Sequence, residues 1–275
     1  MSSFGQRVLD TFEKQGQLCV GIDPSAEQLQ SWGLPVSAAG AKSFTLSMLD
    51  AAQGRVGIVK FQVAFFEQFG PEGFSVLAQA LTEAKLRELV VIADAKRGDI
   101  GSTMAGYARA WLSSEAVFLC DALTVSPYLG PESLADTANV ALENNCGLFL
   151  LAATSNPEAA TLQSSTTEGR TVAGRVLDFA SSYSCEGFGS IGVVVGATVS
   201  DVEFGLDFST SVNFPVLVPG FGAQGADLTK ARSLLSGYAD TSICSVSRLI
   251  AGSSVEGASA RVSKAKAELE VGLRA

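Results

Sequence analysis

Eight short apolar runs recur along the chain, at residues 18–23, 57–62, 90–96, 122–127, 147–154, 190–196, 215–220 and 242–247. Each has the length of a strand and is rich in Val, Ile, Leu and Ala, the pattern of strands buried on both faces. Between most of them lie segments whose apolar positions recur every three or four residues: 42–53, 72–87, 132–144, 171–183 and 226–235. That spacing predicts amphipathic helices, each packed by one face. Strand and helix in alternation predict right-handed βαβ units and a parallel sheet. Eight such units in 275 residues favour an α/β fold closed as a single (β/α)8 TIM barrel over an open doubly wound sheet.

The ends of the chain fit the same frame. Residues 3–15 predict a short amphipathic helix, and 255–273 read as the last outer helix, with lysines and glutamates on its wet face. No linker or composition break divides residues 1–275, so one barrel domain is expected. The longest irregular stretches, 24–40 and 155–169, each follow a strand. In a barrel both belong to the rim where active sites are built.

Composition narrows the class. Apolar residues make up 47% and charged residues 17%, enough for a large core and too apolar for a disordered chain. No apolar run is long enough to span a bilayer, and the N-terminus lacks a basic-then-apolar signal pattern. A soluble, cytoplasmic protein is expected, with no membrane partner. Five cysteines without a CxxC pair, and no histidine at all, disfavour a disulfide scaffold or a zinc site. Cys19, Cys120, Cys146 and Cys244 sit in or beside apolar runs and read as small buried hydrophobes. With no histidine, any proton transfer falls to Lys, Asp or Glu. A net charge of −9 and the lack of a basic stripe argue against nucleic acid. A local cluster of cations can still hold an anionic substrate.

Such a cluster is legible. In the run 90–96 side chains alternate, so Val90, Ile92, Asp94 and Lys96 share one face. Lys60 ends the neighbouring run as Val59-Lys60-Phe61, Asp23 ends the first as Gly21-Ile22-Asp23-Pro24, and Asp99 follows the Gly98 turn, where the next helix should begin. Five ionisable groups thus converge at the C-terminal ends of strands one to three, and charges at such positions are costly unless paired. A salt-bridge network of purely structural purpose explains one such pair readily and four alternating charges poorly. At the other end of the chain, Pro219-Gly220-Phe221-Gly222-Ala223-Gln224-Gly225 follows strand seven, and Ser245-Val246-Ser247-Arg248 ends strand eight. Barrels often bind phosphate at the loops after those two strands, through backbone N–H groups and a helix N-terminus, and Arg248 can add a bidentate contact.

Asp94-Ala95-Lys96-Arg97-Gly98-Asp99 has the Asp-x-Lys-x-x-Asp pattern, and the chain resembles the orotidine 5′-phosphate decarboxylase superfamily in which that pattern occurs. It looks most like the longer, mycobacterial-type (type 2) branch. Further matching pieces, in family order over nearly the whole length, are Gly21–Ser25, Lys60-Phe61-Gln62, the continuation Ile100–Thr103, Ala153–Pro157, Pro219–Gly225 and Ser247-Arg248. Ser126 departs from the pattern, which has Asn there. The resemblance implies a carboxy-lyase that converts orotidine 5′-phosphate to UMP in pyrimidine biosynthesis. No cofactor and no metal would be needed, and the enzyme would be a homodimer with shared sites. It implies that Lys60, Asp94 and Lys96 form a charge array beside the scissile carboxylate, with Asp99 and Thr103 entering from the partner subunit. By the same resemblance Asp23 is a ribose ligand, Ser155 meets the pyrimidine edge, Gln224 and Arg248 hold the 5′-phosphate, and Ser247 is a further substrate-binding residue.

The chemistry is physically coherent. Loss of CO2 from C6 leaves a carbanion with no electron sink, and a fixed ammonium, Lys96, can stabilise it and supply the proton. Two alternatives stand beside this reading. One is a metal-dependent sugar-phosphate decarboxylase or aldolase of the same superfamily. Those cousins carry Glu on strand two where this chain has Lys60, and an ammonium does not ligate a hard cation. The other is a non-catalytic barrel that only binds a phosphorylated ligand, against which the full set of alternating charges argues.

Overall fold

Eight strands pair in parallel and close on themselves: β1 (Leu18–Ile22), β2 (Ile58–Gln62), β3 (Val90–Arg97), β4 (Ala122–Val125), β5 (Gly147–Ala153), β6 (Ile191–Val195), β7 (Val216–Pro219) and β8 (Ser242–Val246). The barrel order follows the chain order, with β8 returning to β1 through Leu18↔Cys244 and Val20↔Val246. The computed structural model describes residues 2–184, 187–208, 212–222 and 225–275. Gln224 and Cys185 lie outside the described residues. The predicted (β/α)8 architecture is the one observed, and every expected strand is present with its ends moved by at most two residues.

The longer helices are α1 (Phe4–Gln15), α2 (Ala38–Ala52), α3 (Gly70–Leu86), α4 (Gly101–Trp111), α5 (Ala135–Glu143), α6 (Val172–Ser181) and α7 (Ala258–Arg274). The stretch 24–40 is less irregular than its polarity suggests. Ser25 accepts a hydrogen bond from the Gln28 N–H and starts a short helix, Ala26–Ser31; Ser37 accepts from the Gly40 N–H and starts α2 four residues ahead of the predicted segment. Both are N-cap serines, whose hydroxyls satisfy an otherwise unpaired amide of the first turn. The segment 226–235 departs in the other direction. Asp227 caps a single 3-10 turn, Leu228–Lys230, and only Ala231–Leu235 is α-helical.

Period-two alternation sorts each strand into two faces. The outward residues Val20, Val59, Val91, Leu123, Leu150 and Val193 join the large cluster beneath the helices. The inward residues Cys19, Ile58, Val90, Ile92, Ala122, Phe149, Val194, Leu217 and Ile243 form a separate core inside the barrel. Helix α1 closes the bottom of that core. Phe4 and Val8 are fully buried in it, and the Phe4 ring meets Phe149 edge-on at 5.9 Å between centroids. Burying a side chain of this size contributes about 1.5–3 kcal/mol. Asp121, at the foot of β4, ties the same end together: its carboxylate accepts from the Val91 N–H (2.8 Å), from Arg7 of α1 (2.9 Å) and from Lys85 of α3 (2.7 Å).

One step further along each strand the inward position changes character. Ile58 gives way to Lys60, Ile92 to Asp94, Ala122 to Thr124 and Ile243 to Ser245, all of them buried. A dry plug at the bottom and a polar layer above it leave one end of the barrel able to hold a polar ligand.

Candidate active site

Above the polar layer lies a cavity of about 500 Å³ at the C-terminal ends of the strands. Six of the residues singled out in the sequence line it: Asp23, Lys60, Asp94, Lys96, Ser247 and Arg248. Three others do not line the cavity of their own chain. Asp99 and Thr103 lie outside its wall on the path from β3 into α4; Asp99 accepts from the Ile100 N–H (2.8 Å) and Thr103 is exposed. Ser155 is exposed just beyond Thr154, which does line the cavity.

The charge array is continuous. Lys60 Nζ donates to Asp94 Oδ2 at 3.0 Å, and Lys96 Nζ donates to Asp94 Oδ1 at 2.6 Å. Lys60 also reaches Gln62 Oε1 at 3.3 Å and lies 3.9 Å from Asp23 Oδ1. Burial disfavours the Lys60 ammonium, but the Asp94 and Asp23 carboxylates outweigh it and hold its pKa above the usual lysine range. Burial likewise works against the Asp94 carboxylate, and the two ammonium groups more than offset it, holding its pKa below the usual carboxylate range. Lys60 and Asp94 are therefore both charged at neutral pH. Asp23 lines the cavity; its Oδ1 is packed inside and makes no hydrogen bond, and the Lys60 ammonium is its ion-pair partner.

The path of β3 differs from the regular alternation by which Asp94 and Lys96 were placed on one face. Between Ala93↔Leu123 and Arg97↔Val125 the β3–β4 register shifts, four residues of β3 passing two of β4. Lys96 takes up the excess with a left-handed backbone, φ 50°. Side chains with a Cβ rarely adopt that region, and the strain is of order 1–3 kcal/mol. The Lys96 N–H finds no strand partner in β4 and donates to Thr124 Oγ1 at 2.9 Å. Thr124 and Gln62 are members of the network to which the sequence reading gave no role; their inward positions two residues beyond Ala122 and Lys60 are the signal that could have found them.

The opposite wall is built by β7 and β8. Pro219, Gly220 and Phe221 line the cavity with Ser247 and Arg248. Gly220 has φ 116°, a conformation closed to other residues at little cost, and lets the chain turn back over the cavity. Gly21 of β1 is required for another reason: a Cβ there would stand 2.6 Å from Ser247 Cβ, so only glycine lets β8 bring Ser247 to the wall. Among the described residues the Arg248 guanidinium makes no hydrogen bond or ion pair, and the side chain is exposed at the start of the short helix Arg248–Ala251. Also among the described residues, no group of three or more Cys, Asp or Glu side chains is placed to hold a metal ion.

The chain as a whole has known relatives. Residues 16–267 match the model of the Orotidine 5′-phosphate decarboxylase / HUMPS family. The chain belongs to that family. Among curated relatives, the orotidine 5′-phosphate decarboxylase of Corynebacterium efficiens is 42% identical over 254 residues, covering 90% of this chain and 89% of that one. That of Streptomyces coelicolor is 44% identical over 229 residues, covering 82% and 81%. A crystal structure from Streptomyces avermitilis, described as a candidate orotidine 5′-phosphate decarboxylase, superposes with a TM-score of 0.94 at 39% identity over 100% of this chain and 97% of that chain. The family resemblance read from Asp94–Asp99 is thus correct.

Proposed function

We propose that this protein decarboxylates orotidine 5′-phosphate to UMP in pyrimidine biosynthesis, in the cytoplasm, without metal or organic cofactor, as a homodimer of one-domain subunits with shared sites. The observation that carries the reading is the Lys60–Asp94–Lys96 array, in which Asp94 joins the buried Lys60 to the more exposed Lys96, all three lining the cavity at the end of the barrel opposite the apolar plug. The relatives that bear this activity are similar along most of the chain.

In this reading the substrate carboxylate lies beside Asp94 and Lys96. The C6–carboxylate bond breaks, its electron pair stays on C6, and CO2 leaves. The Lys96 ammonium stabilises the carbanion and gives C6 its proton; solvent then reprotonates the amine. Preorganised charges in a dry site stabilise such a transition state far more than charges in water. Lys60 holds Asp94 in place, and Asp94 holds Lys96. The Asp23 carboxylate, which lines the cavity, accepts from a ribose hydroxyl. Arg248, Ser247 and the Gly220 turn hold the 5′-phosphate, with Gln224 assigned to the same anion. Ser155 stands outside the cavity wall, so its contact with the pyrimidine edge requires the segment 155–169 to close over bound substrate.

Asp99 and Thr103 are assigned to the site of the partner subunit. Support comes from their position: neither lines its own cavity, and Ile100 between them is an exposed apolar residue, as are Tyr128 and Leu129 beyond the adjacent strand. Apolar side chains grouped at one rim suit a subunit interface. No helix among the described residues is long and apolar enough to cross a membrane.

The test is turnover by the purified protein in excess EDTA. Stoichiometric UMP and CO2 from orotidine 5′-phosphate are expected. Loss of turnover in EDTA with recovery on adding Mg²⁺ would hand the chain to the metal-dependent cousins.

A further inference from the structure

We propose that Thr124 is a positioning residue for decarboxylation, a single hydroxyl that locks the strained backbone of Lys96 to the carboxylate of Asp94. The inference rests on the proposed role of Lys96 as proton donor.

Thr124 sits on β4 and is fully buried. Its Oγ1 accepts the Lys96 N–H at 2.9 Å and donates its own proton to Asp94 Oδ1 at 2.9 Å. A hydroxyl has one proton and two lone pairs, so both bonds form at once without conflict. The second bond has a defined direction, because Asp94 is held as a carboxylate by Lys60 and Lys96 and can only accept. Asp94 Oδ1 therefore receives the Lys96 ammonium and the Thr124 hydroxyl together, while Oδ2 receives Lys60.

The register shift explains why a hydroxyl is needed here. Four residues of β3 pass two of β4, so the ladder skips the Lys96 amide, and φ 50° turns that amide toward β4 with no carbonyl to meet it. Without Thr124 Oγ1 the amide would be an unsatisfied donor at a backbone already under strain. Such a segment relaxes, and the Lys96 side chain moves with it. Thr124 is absent from the cavity wall and so has no means of binding substrate directly. Its effect passes through the placement of Lys96 and Asp94 and belongs in the chemical step rather than in affinity.

The experiment compares Thr124→Val, which keeps the shape and removes the hydroxyl, with Thr124→Ser, which keeps the hydroxyl. Steady-state kinetics are normalised to sites counted by UMP binding, and Lys96→Ala is run in parallel. Thr124→Val is expected to lower kcat about tenfold to a hundredfold with KM within about threefold of the parent, the scale for slight misplacement of a reacting group. Thr124→Ser should return kcat to within about threefold of the parent. A role in stability alone would lower the count of UMP-binding sites and leave kcat per site unchanged, which overturns the proposal. Equal losses in Val and Ser, or a loss confined to KM, overturn it as well. If Thr124→Val does not fold, Thr124→Ala against Thr124→Ser makes the same comparison. The parallel variant separates the two readings: a dead Lys96→Ala beside a fully active Thr124→Val refutes the role of Thr124, whereas an active Lys96→Ala refutes the role of Lys96 on which it stands.

Discussion

Lys96 Nζ lies 2.6 Å from Asp94 Oδ1, although only one residue separates the two in the chain and Lys96 holds a left-handed backbone. In a regular strand, side chains two apart stand parallel, with their Cα atoms roughly 7 Å apart. The shifted β3–β4 register breaks that parallel arrangement just where the ammonium must come back over the carboxylate.

From this follows the first prediction. Lys96→Ala should lower kcat by about a thousandfold or more, on the order of 4 kcal/mol of transition-state stabilisation. UMP should still bind, because the phosphate and ribose contacts are assigned to other residues. Stopped-time product assays and UMP titration of the same preparation check both halves. A variant within tenfold of the parent, about 1.4 kcal/mol, removes Lys96 from the donor role.

How far the site could be read in advance depended on which physical rule each residue obeys. Lys60 and Asp94 follow strict period-two alternation, and an apolar strand that turns charged on one face advertises them directly. Extending that alternation one step reaches Lys96 past the point where the backbone actually leaves it, so Lys96 lines the cavity by a geometry that the alternation does not describe. Thr124 stayed hidden because a lone threonine in a β-rich run fits a plain strand, and its two hydrogen bonds depend on a register shift between strands. The same limit applied to the fold. Apolar periodicity located all eight strands, while Ser25 and Ser37, which start helices inside a stretch taken as irregular, act through caps rather than periodicity. Asp121 is legible only in three dimensions, since its partners Arg7, Lys85 and Val91 are distant in sequence.

The second prediction concerns the anion. Arg248 carries a guanidinium with no partner among the described residues, at the edge of the cavity. Arg248→Ala should weaken binding of the phosphorylated substrate or of UMP by about 2–4 kcal/mol, the scale for losing a charge-assisted contact. The unphosphorylated nucleoside should lose far less. Calorimetric titration with UMP and uridine reads the difference directly, and equal losses for both would show that Arg248 does not touch phosphate.

The third prediction is a pH dependence of stability. Asp201 lies between β6 and β7 with Oδ1 buried and unpartnered, and burial pushes its carboxyl up to about 6. In the unfolded chain the group titrates near its ordinary value of about 3.9. The folded state therefore holds more protons than the unfolded state between about pH 4 and pH 6, and stability falls as pH rises through that window. Asp201→Asn removes the ionisation. It should be more stable than the parent at pH 8, by on the order of 1 kcal/mol once partial exposure is discounted, and should show no such gain near pH 4. Urea unfolding of both proteins at pH 4.5, 6 and 8 gives the comparison; a gain independent of pH would assign the effect to something other than titration.

The last prediction addresses the shared site. Asp99 leaves the mouth of the barrel three residues after Lys96, lies outside the cavity of its own chain and is followed by the exposed Ile100. If it serves the partner's site, each site takes Lys96 from one chain and Asp99 from the other. Homodimers of Lys96→Ala and of Asp99→Ala should then both be nearly inactive. A mixed dimer carries both lesions in one site and neither in the other. After subunit exchange at equal concentrations half the dimers are mixed, and half of their sites are intact, so activity should recover to about a quarter of the parent's (binomial counting for a two-fold symmetric dimer). Native mass spectrometry of the mixture reports exchange independently of activity. With exchange confirmed and activity still at the level of the two single variants, Asp99 acts within its own subunit and the sites are not shared.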